Sequence, residues 1–118
     1  CYVFEKYKPS VMSMEKLFYN SNQKTVIDVA QARGVITLCA QMHNKEIFEY
    51  TPLQVKQSVT GYGRAEKKQV MEMTRSILSL ESVPKPDDTA DALALAICHA
   101  HCNASSLGKL YNIESKLR

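Results

Sequence analysis

The sequence predicts an α/β fold. Three observations support this: two short strand-like stretches, long helical stretches around them, and turn-forming residues at their borders. Val11 to Glu15, opened by Pro9-Ser10, is the first strand candidate, followed by a polar loop with cap-like residues at Tyr19 to Asn22. From Gln23 to about His43, Val26, Ile27, Val29, Ala30, Val35, Leu38, Cys39 and Met42 recur at helical spacing. Gly34 sits inside that helix, at a cost of roughly 1 kcal/mol against Ala. Its place there points to close approach of another helix, such as one across a dimer.

Glu46 to Tyr50 alternates as a strand does. Thr51-Pro52 then opens a short helix, Leu53 to Ser58, with Pro early in the helix. Gly61-Tyr62-Gly63 is a break, and Ala65 to Leu80 is an amphipathic helix built on Val70, Met73, Ile77, Leu78 and Leu80. Val83 to Pro86 is a rigid linker, and Asp88 to about Cys102 is a last helix rich in Ala and Leu. Strands alternating with helices predict a parallel sheet. Two strands are too few for a stable open sheet, so further strands are expected ahead of Cys1.

Bulk properties narrow the function classes. The 118 residues leave room for one small domain, and 45% hydrophobic with 23% charged residues is an ordinary globular balance. A start at Cys1 rather than Met suggests a fragment, a processed chain or a trimmed one. Net charge is +3, with Lys56, Arg64, Lys67, Lys68 and Arg75 crowded in the middle around Glu66 and Glu72. Such a face permits nucleic-acid binding and equally suits a solvated helix. Cys1, Cys39, Cys98 and Cys102 form no CxxC pair, which suggests reduced thiols and a cytoplasmic setting. Cys39 reads as a small buried hydrophobe. No signal peptide or membrane-crossing run is visible.

Several apparent motifs carry little. Cys98-His99-Ala100-His101-Cys102 lacks the spacing of a structural zinc site, though His99 could assist chemistry two turns beyond Asp91. Gly61-Tyr62-Gly63 lacks the third glycine of a nucleotide-binding fingerprint, and the absence of a Walker motif argues against ATP use.

The acidic residues carry more. Asp87, Asp88 and Asp91 fall within five positions at a helix start, where a cap needs one acid. The macrodipole also favours acids in a first turn, where Asp91 is expected. Asp88 and Asp91 are three apart and share a helix face. Glu15 stands at a strand end, although strands disfavour acids, and open α/β sheets place sites at the carboxyl ends of strands. A glutamate aimed at the aspartate pair would gather hard oxygen ligands for a cation such as Mg²⁺. That points to metal-assisted chemistry on phosphate esters.

Gln31-Ala-Arg-Gly-Val35, Phe48-Glu-Tyr50, Gln54-Val-Lys-Gln57, Gly61-Tyr-Gly63, Ala65-Glu-Lys67 and Ala90-Asp-Ala-Leu-Ala94, in that order, closely resemble the RuvC family of Holliday junction resolvases. The match runs from about Val11 to His101. It implies a ribonuclease-H-like fold lacking its first three strands and an early helix. Residues 1–103 would be the partial nuclease domain, and residues 104–118 a polar, basic C-terminal tail. The family acts as a homodimer on four-way DNA junctions in recombination and repair, making paired nicks with Mg²⁺ or Mn²⁺, two ions per site. By resemblance Glu15, Asp88 and Asp91 are catalytic metal ligands, Phe18 acts at the junction's bases, and Lys56 and Lys67 contact DNA. The Gln31 to Met42 helix matches the dimerisation helix. A branch-migration motor complex is the partner of family members. The family's first carboxylate, in a motif like Gly-Ile-Asp-Pro-Gly, has no counterpart here, which implies an inactive piece of an active enzyme. Two other readings remain: a ribonuclease-H-like nuclease for RNA or other DNA structures, and a non-catalytic module for dimerisation or junction binding.

Overall fold

The computed structural model describes the backbone of residues 1–16 and 23–117 and the side chains of residues 1–16 and 25–103. Phe18 and the Tyr19 to Asn22 loop lie outside the described residues. The chain divides into two compact units, Cys1–Glu49 and Tyr50–Arg118.

The first unit holds helix α1 (Tyr2–Tyr7), strand β1 (Val11–Glu15), helix α2 (Gln23–Met42) and strand β2 (Glu46–Tyr50), which ends at the unit's border. The strands pair with one another in a two-stranded sheet. Helix α1 was not expected, because it has no apolar periodicity. It closes on Lys8 in the left-handed region, and Lys6 lies over the rings of Tyr2 and Tyr7, at 5.4 and 5.2 Å from their centroids. Helix α2 stops at the expected place by a Schellman turn. Asn44, at φ 55°, bonds through its N–H to the Gln41 carbonyl, and Lys45 bonds to that of Ala40.

Helix α2 exposes apolar side chains, among them Ile27, Val35, Leu38 and Met42, each at 60% or more. A Cβ built on Gly34 meets nothing within 4 Å, so the close approach expected there is not made within this chain. Cys39 is half-buried rather than buried. It lies on a helix with few other elements to cover it.

The second unit holds helices α3 (Pro52–Thr60), α4 (Lys67–Ile77) and α5 (Asp87–Leu117). Thr51 starts α3 with a capping box: its hydroxyl accepts from the Gln54 N–H at 3.1 Å, and Gln54 Oε1 accepts from the Thr51 N–H at 2.8 Å. Pro52 takes the first helical position, where no N–H is needed. Gly61, at φ +79°, ends α3 with its N–H on the Gln57 carbonyl at 2.8 Å. At Gly63 an added Cβ would come within 2.8 Å of Leu53 Cδ1, so this glycine allows a close approach.

Helix α4 is shorter than expected at both ends. Glu66 stands before it with its N–H held by Gln69 Oε1. At the other end Ser79 adopts φ 54°, and Leu80 N–H bonds back to the Arg75 carbonyl, completing another Schellman turn. A serine in a position that glycine usually fills hides this stop from the sequence. Helix α5 runs through residues 104–117, so the expected polar tail is helical in its backbone.

Helix α5 packs on α3 and α4 through Ala90, Ala94, Ile97 and Cys98, each 6% exposed or less. Their spacing keeps them on one face. Val59, Ala65 and Val70 meet Ala94 and Ile97 in the core, with Val55 beside them. Thr74 is fully buried, and its hydroxyl donates to the Val70 carbonyl at 2.8 Å, which removes the cost of an unpaired polar group.

Truncating Ile97 to Ala should destabilise the second unit by about 2–4 kcal/mol, through lost burial and a cavity. Thr51→Ala should cost about 1 kcal/mol through loss of its cap. Urea denaturation followed by circular dichroism measures both; equal midpoints for Ile97→Ala and the wild type would refute this core assignment.

Candidate functional site

Helix α5 begins at Asp87, directly after Pro86. Asp87 and Asp88 therefore occupy its first turn, and Asp91 lies one turn further on, not in the first turn as expected. Asp88 and Asp91 stand on one helix face, separated along the axis by about 4.5 Å. All three aspartates are exposed. Glu15 is the last residue of β1, also exposed, and belongs to the first unit. Within either unit, among the described residues, no three His, Cys, Asp or Glu side chains are grouped to hold a metal ion.

Lys67 is the first residue of α4, and its ammonium lies 3.5 Å from Asp87 Oδ2 and 3.9 Å from Asp91 Oδ2. The residue expected to face phosphate thus also faces the carboxylates. Lys56 is half-buried on α3, while Arg64 and Lys68 are exposed. Arg75 leaves the basic group for a structural task. Its Nε binds Glu72 Oε1 at 2.6 Å, and a terminal nitrogen donates to the Leu80 carbonyl at 3.1 Å, bracing the end of α4.

His99 does not reach the aspartates. Eight residues of helix separate it from Asp91, about 12 Å along the axis. Its Nδ1 meets the Tyr50 hydroxyl at 2.6 Å. Burial, with Cys102 and Cys98 nearby, raises the Tyr50 pKa, so the phenol stays protonated. His101 Nδ1 lies 3.1 Å from Ser58 Oγ and from the Ser58 carbonyl. Cys98 is buried, and its thiol donates to the Gln54 carbonyl at 3.8 Å. Burial pushes its pKa up to about 11, against a contrary pull from Ser58.

Sequence reasoning missed two of these partnerships. Tyr50 and His99 pair within the second unit across a long sequence gap that no spacing rule covers. Arg33 and Glu49 form an ion pair at 2.7 Å between α2 and β2. The Arg33 hydrogen bond, reinforced by its charge, lowers the Glu49 pKa. The signal for this pair was present: both residues lie inside blocks that carried the family resemblance. A surface cleft of about 500 Å³ is lined by Thr60, Tyr62, Gln69, Met73 and Arg75 among others, and none of the predicted site residues lines it.

The family model for crossover junction endodeoxyribonuclease RuvC matches residues 2–99. The chain belongs to the RuvC family. A RuvC from Alkaliphilus oremlandii is 60% identical over 99 residues, covering 84% of this chain and 60% of that protein. A RuvC from Clostridioides difficile is 59% identical over 101 residues, covering 86% of this chain and 60% of that protein. Among solved structures, Thermus thermophilus RuvC superposes with a TM-score of 0.82 at 32% identity, over 89% of this chain and 63% of that one. The same protein in complex with a Holliday junction substrate gives 0.84 at 32% identity, over 89% of this chain and 64% of that one. The α/β, ribonuclease-H-like fold expected from the sequence is therefore that of RuvC. The chain spans about 60% of the length of the curated RuvC relatives it matches. Among the described residues no helix is long and apolar enough to cross a membrane.

The buried thiol gives a test by pH. A thiol pKa raised from 9.0 to about 11 means that the folded unit holds a proton the unfolded chain gives up. That contribution to stability is complete below pH 9 and is lost as pH rises toward about 11. The urea midpoint of the wild type should therefore fall more steeply over this range than that of Cys98→Ala. Parallel curves would show that Cys98 is not the titrating group.

Proposed function

We propose that this chain is part of a structure-specific endonuclease that resolves Holliday junctions in DNA recombination and repair, by paired, metal-dependent hydrolysis of phosphodiesters. The observation that carries this reading is RuvC family membership over residues 2–99, which includes Asp88 and Asp91 of α5. The junction complex of the Thermus relative supports the substrate class. Because the chain spans about 60% of its curated relatives, the activity is proposed for the complete protein, and the chain alone is proposed to be inactive.

Glu15, Asp88 and Asp91 are the proposed catalytic carboxylates and the residues that would hold Mg²⁺ or Mn²⁺, two ions per site in the complete protein. Their chemistry fits: carboxylate oxygens are the hard ligands these ions take, and all three side chains are exposed to solvent. When bound, such ions supply an activated water and neutralise charge at the leaving oxygen. Lys56 and Lys67 are proposed to pair with backbone phosphates, giving salt-sensitive affinity. Phe18 is proposed to stack on an unpaired base, worth roughly 1–3 kcal/mol.

A homodimer formed through α2 is part of the proposal. Ile27, Val35, Leu38 and Met42 are exposed on this helix, and Gly34 has open space before it. A branch-migration motor complex is the proposed protein partner, and the cytoplasm the proposed compartment.

A second reading, a junction-binding module without catalysis, follows from the lack of a counterpart in this chain to the family's first carboxylate.

Cleavage of a four-way junction by the complete protein with Mg²⁺ separates the two readings. Asp88→Asn should reduce cleavage to background while leaving junction binding in Ca²⁺ unchanged; undiminished cleavage removes Asp88 from the mechanism. A gel shift of the present chain on a four-way junction with Ca²⁺ and excess duplex competitor should show selective binding. Selective binding by the chain together with no cleavage by the complete protein would favour the module.

A further inference from the structure

The ion pair between α4 and α5 bears on how the proposed metal site is controlled. The N-terminus of a helix carries positive partial charge, so acids are favoured there and cations disfavoured. Helix α4 meets this preference only at its cap, Glu66; its first turn has no acid and opens with Lys67 and Lys68. Its own dipole gives Lys67 no support. The support comes from α5, whose first turns present Asp87, Asp88 and Asp91. Lys67 reaches two of the three, at 3.5 Å from Asp87 and 3.9 Å from Asp91. Asp91 is also one of the proposed metal ligands, whereas Asp87 matches no carboxylate of the family's set.

An ammonium and a divalent cation on the same carboxylate repel one another at such distances. The Lys67 side chain is 58% exposed, and a lysine stem is flexible, with three rotatable donors. It can therefore leave one carboxylate while keeping the other.

We propose that Lys67 competes with a divalent cation for Asp91, and that Asp87 is the positioning residue that retains the ammonium beside the site when Asp91 is taken. This rests on the reading of Asp91 as a metal ligand. By reciprocity of linked equilibria, a cation bound at Asp91 releases Lys67 from that carboxylate. Its charge is then available to a phosphate oxygen, so metal and DNA favour each other's binding through this lysine. The contact is thus a built-in restraint on the site as well as a future phosphate contact.

The test is titration of Mn²⁺ alone into the present chain at fixed ionic strength, read by loss of the free-ion electron paramagnetic resonance signal. Lys67→Met should bind Mn²⁺ about two- to fivefold tighter than the wild type, the range that release of an exposed ion pair gives. Lys68→Met, which removes the neighbouring charge on the same helical turn, should leave binding unchanged. Asp91→Asn should weaken it. Far-UV circular dichroism checks that each variant is folded, and Lys67→Gln replaces Lys67→Met if that one is not. Equal Mn²⁺ affinity in the wild type and Lys67→Met, or equal gains in Lys67→Met and Lys68→Met, overturns the competition. If Asp91→Asn still weakens binding, the metal reading survives that failure. Unchanged binding in Asp91→Asn removes Asp91 as a ligand, and the inference falls with it. An absence of measurable binding in both the wild type and Lys67→Met also overturns it.

Discussion

The second unit depends on a stripe of small side chains. Ala90, Ala94 and Cys98 recur every four residues on α5, joined by Ile97, and all are buried against α3 and α4. Side chains this short let helix backbones come close, so the chain builds a core from Val55, Val59, Ala65, Val70 and Ile97 with no large aromatic at its centre. The same packing sets the place of the acidic helix start. With α5 held against α4, Lys67 at the head of one helix meets Asp87 and Asp91 at the head of the other. Stability and site geometry therefore rest on the same face of the same helix.

The first unit is built differently. Among the described residues its two strands pair only with each other, and its long helix leaves Ile27, Val35, Leu38 and Met42 exposed. Apolar area left in water contributes nothing to folding until something covers it. Within the unit, an ion pair at 2.7 Å links Arg33 on α2 to Glu49 on β2.

The blocks that carry the RuvC resemblance turn out to be mostly structural. Arg33 and Glu49 are an ion pair, and Tyr50 anchors His99. Gln54 completes a capping box, Gly61 ends a helix, and Gly63 makes room for Leu53. Ala65, Ala90 and Ala94 are core. Only Lys56, Lys67 and Asp91 in those blocks have a direct chemical task in the proposed reaction. A family is recognisable in such segments because caps, turns and close contacts tolerate few residue types.

The sequence by itself determined the order of strands and helices, the boundaries marked by Pro52 and Gly61, the charge crowding around Lys67, and the pairing of Asp88 with Asp91 on one face. These are local properties, set by periodicities of two and 3.6 residues and by backbone preferences of individual side chains. It missed α1, which has no apolar stripe, and the ends of α4, where Ser79 takes a glycine's conformation. Only the tertiary structure decided that Cys98 rather than Cys39 is buried, that His99 turns to Tyr50, that Arg75 braces a helix end, and that Lys67 meets the acids of α5. Each of these depends on which helix faces which, and that is set by packing between segments far apart in the chain, where no spacing rule reaches.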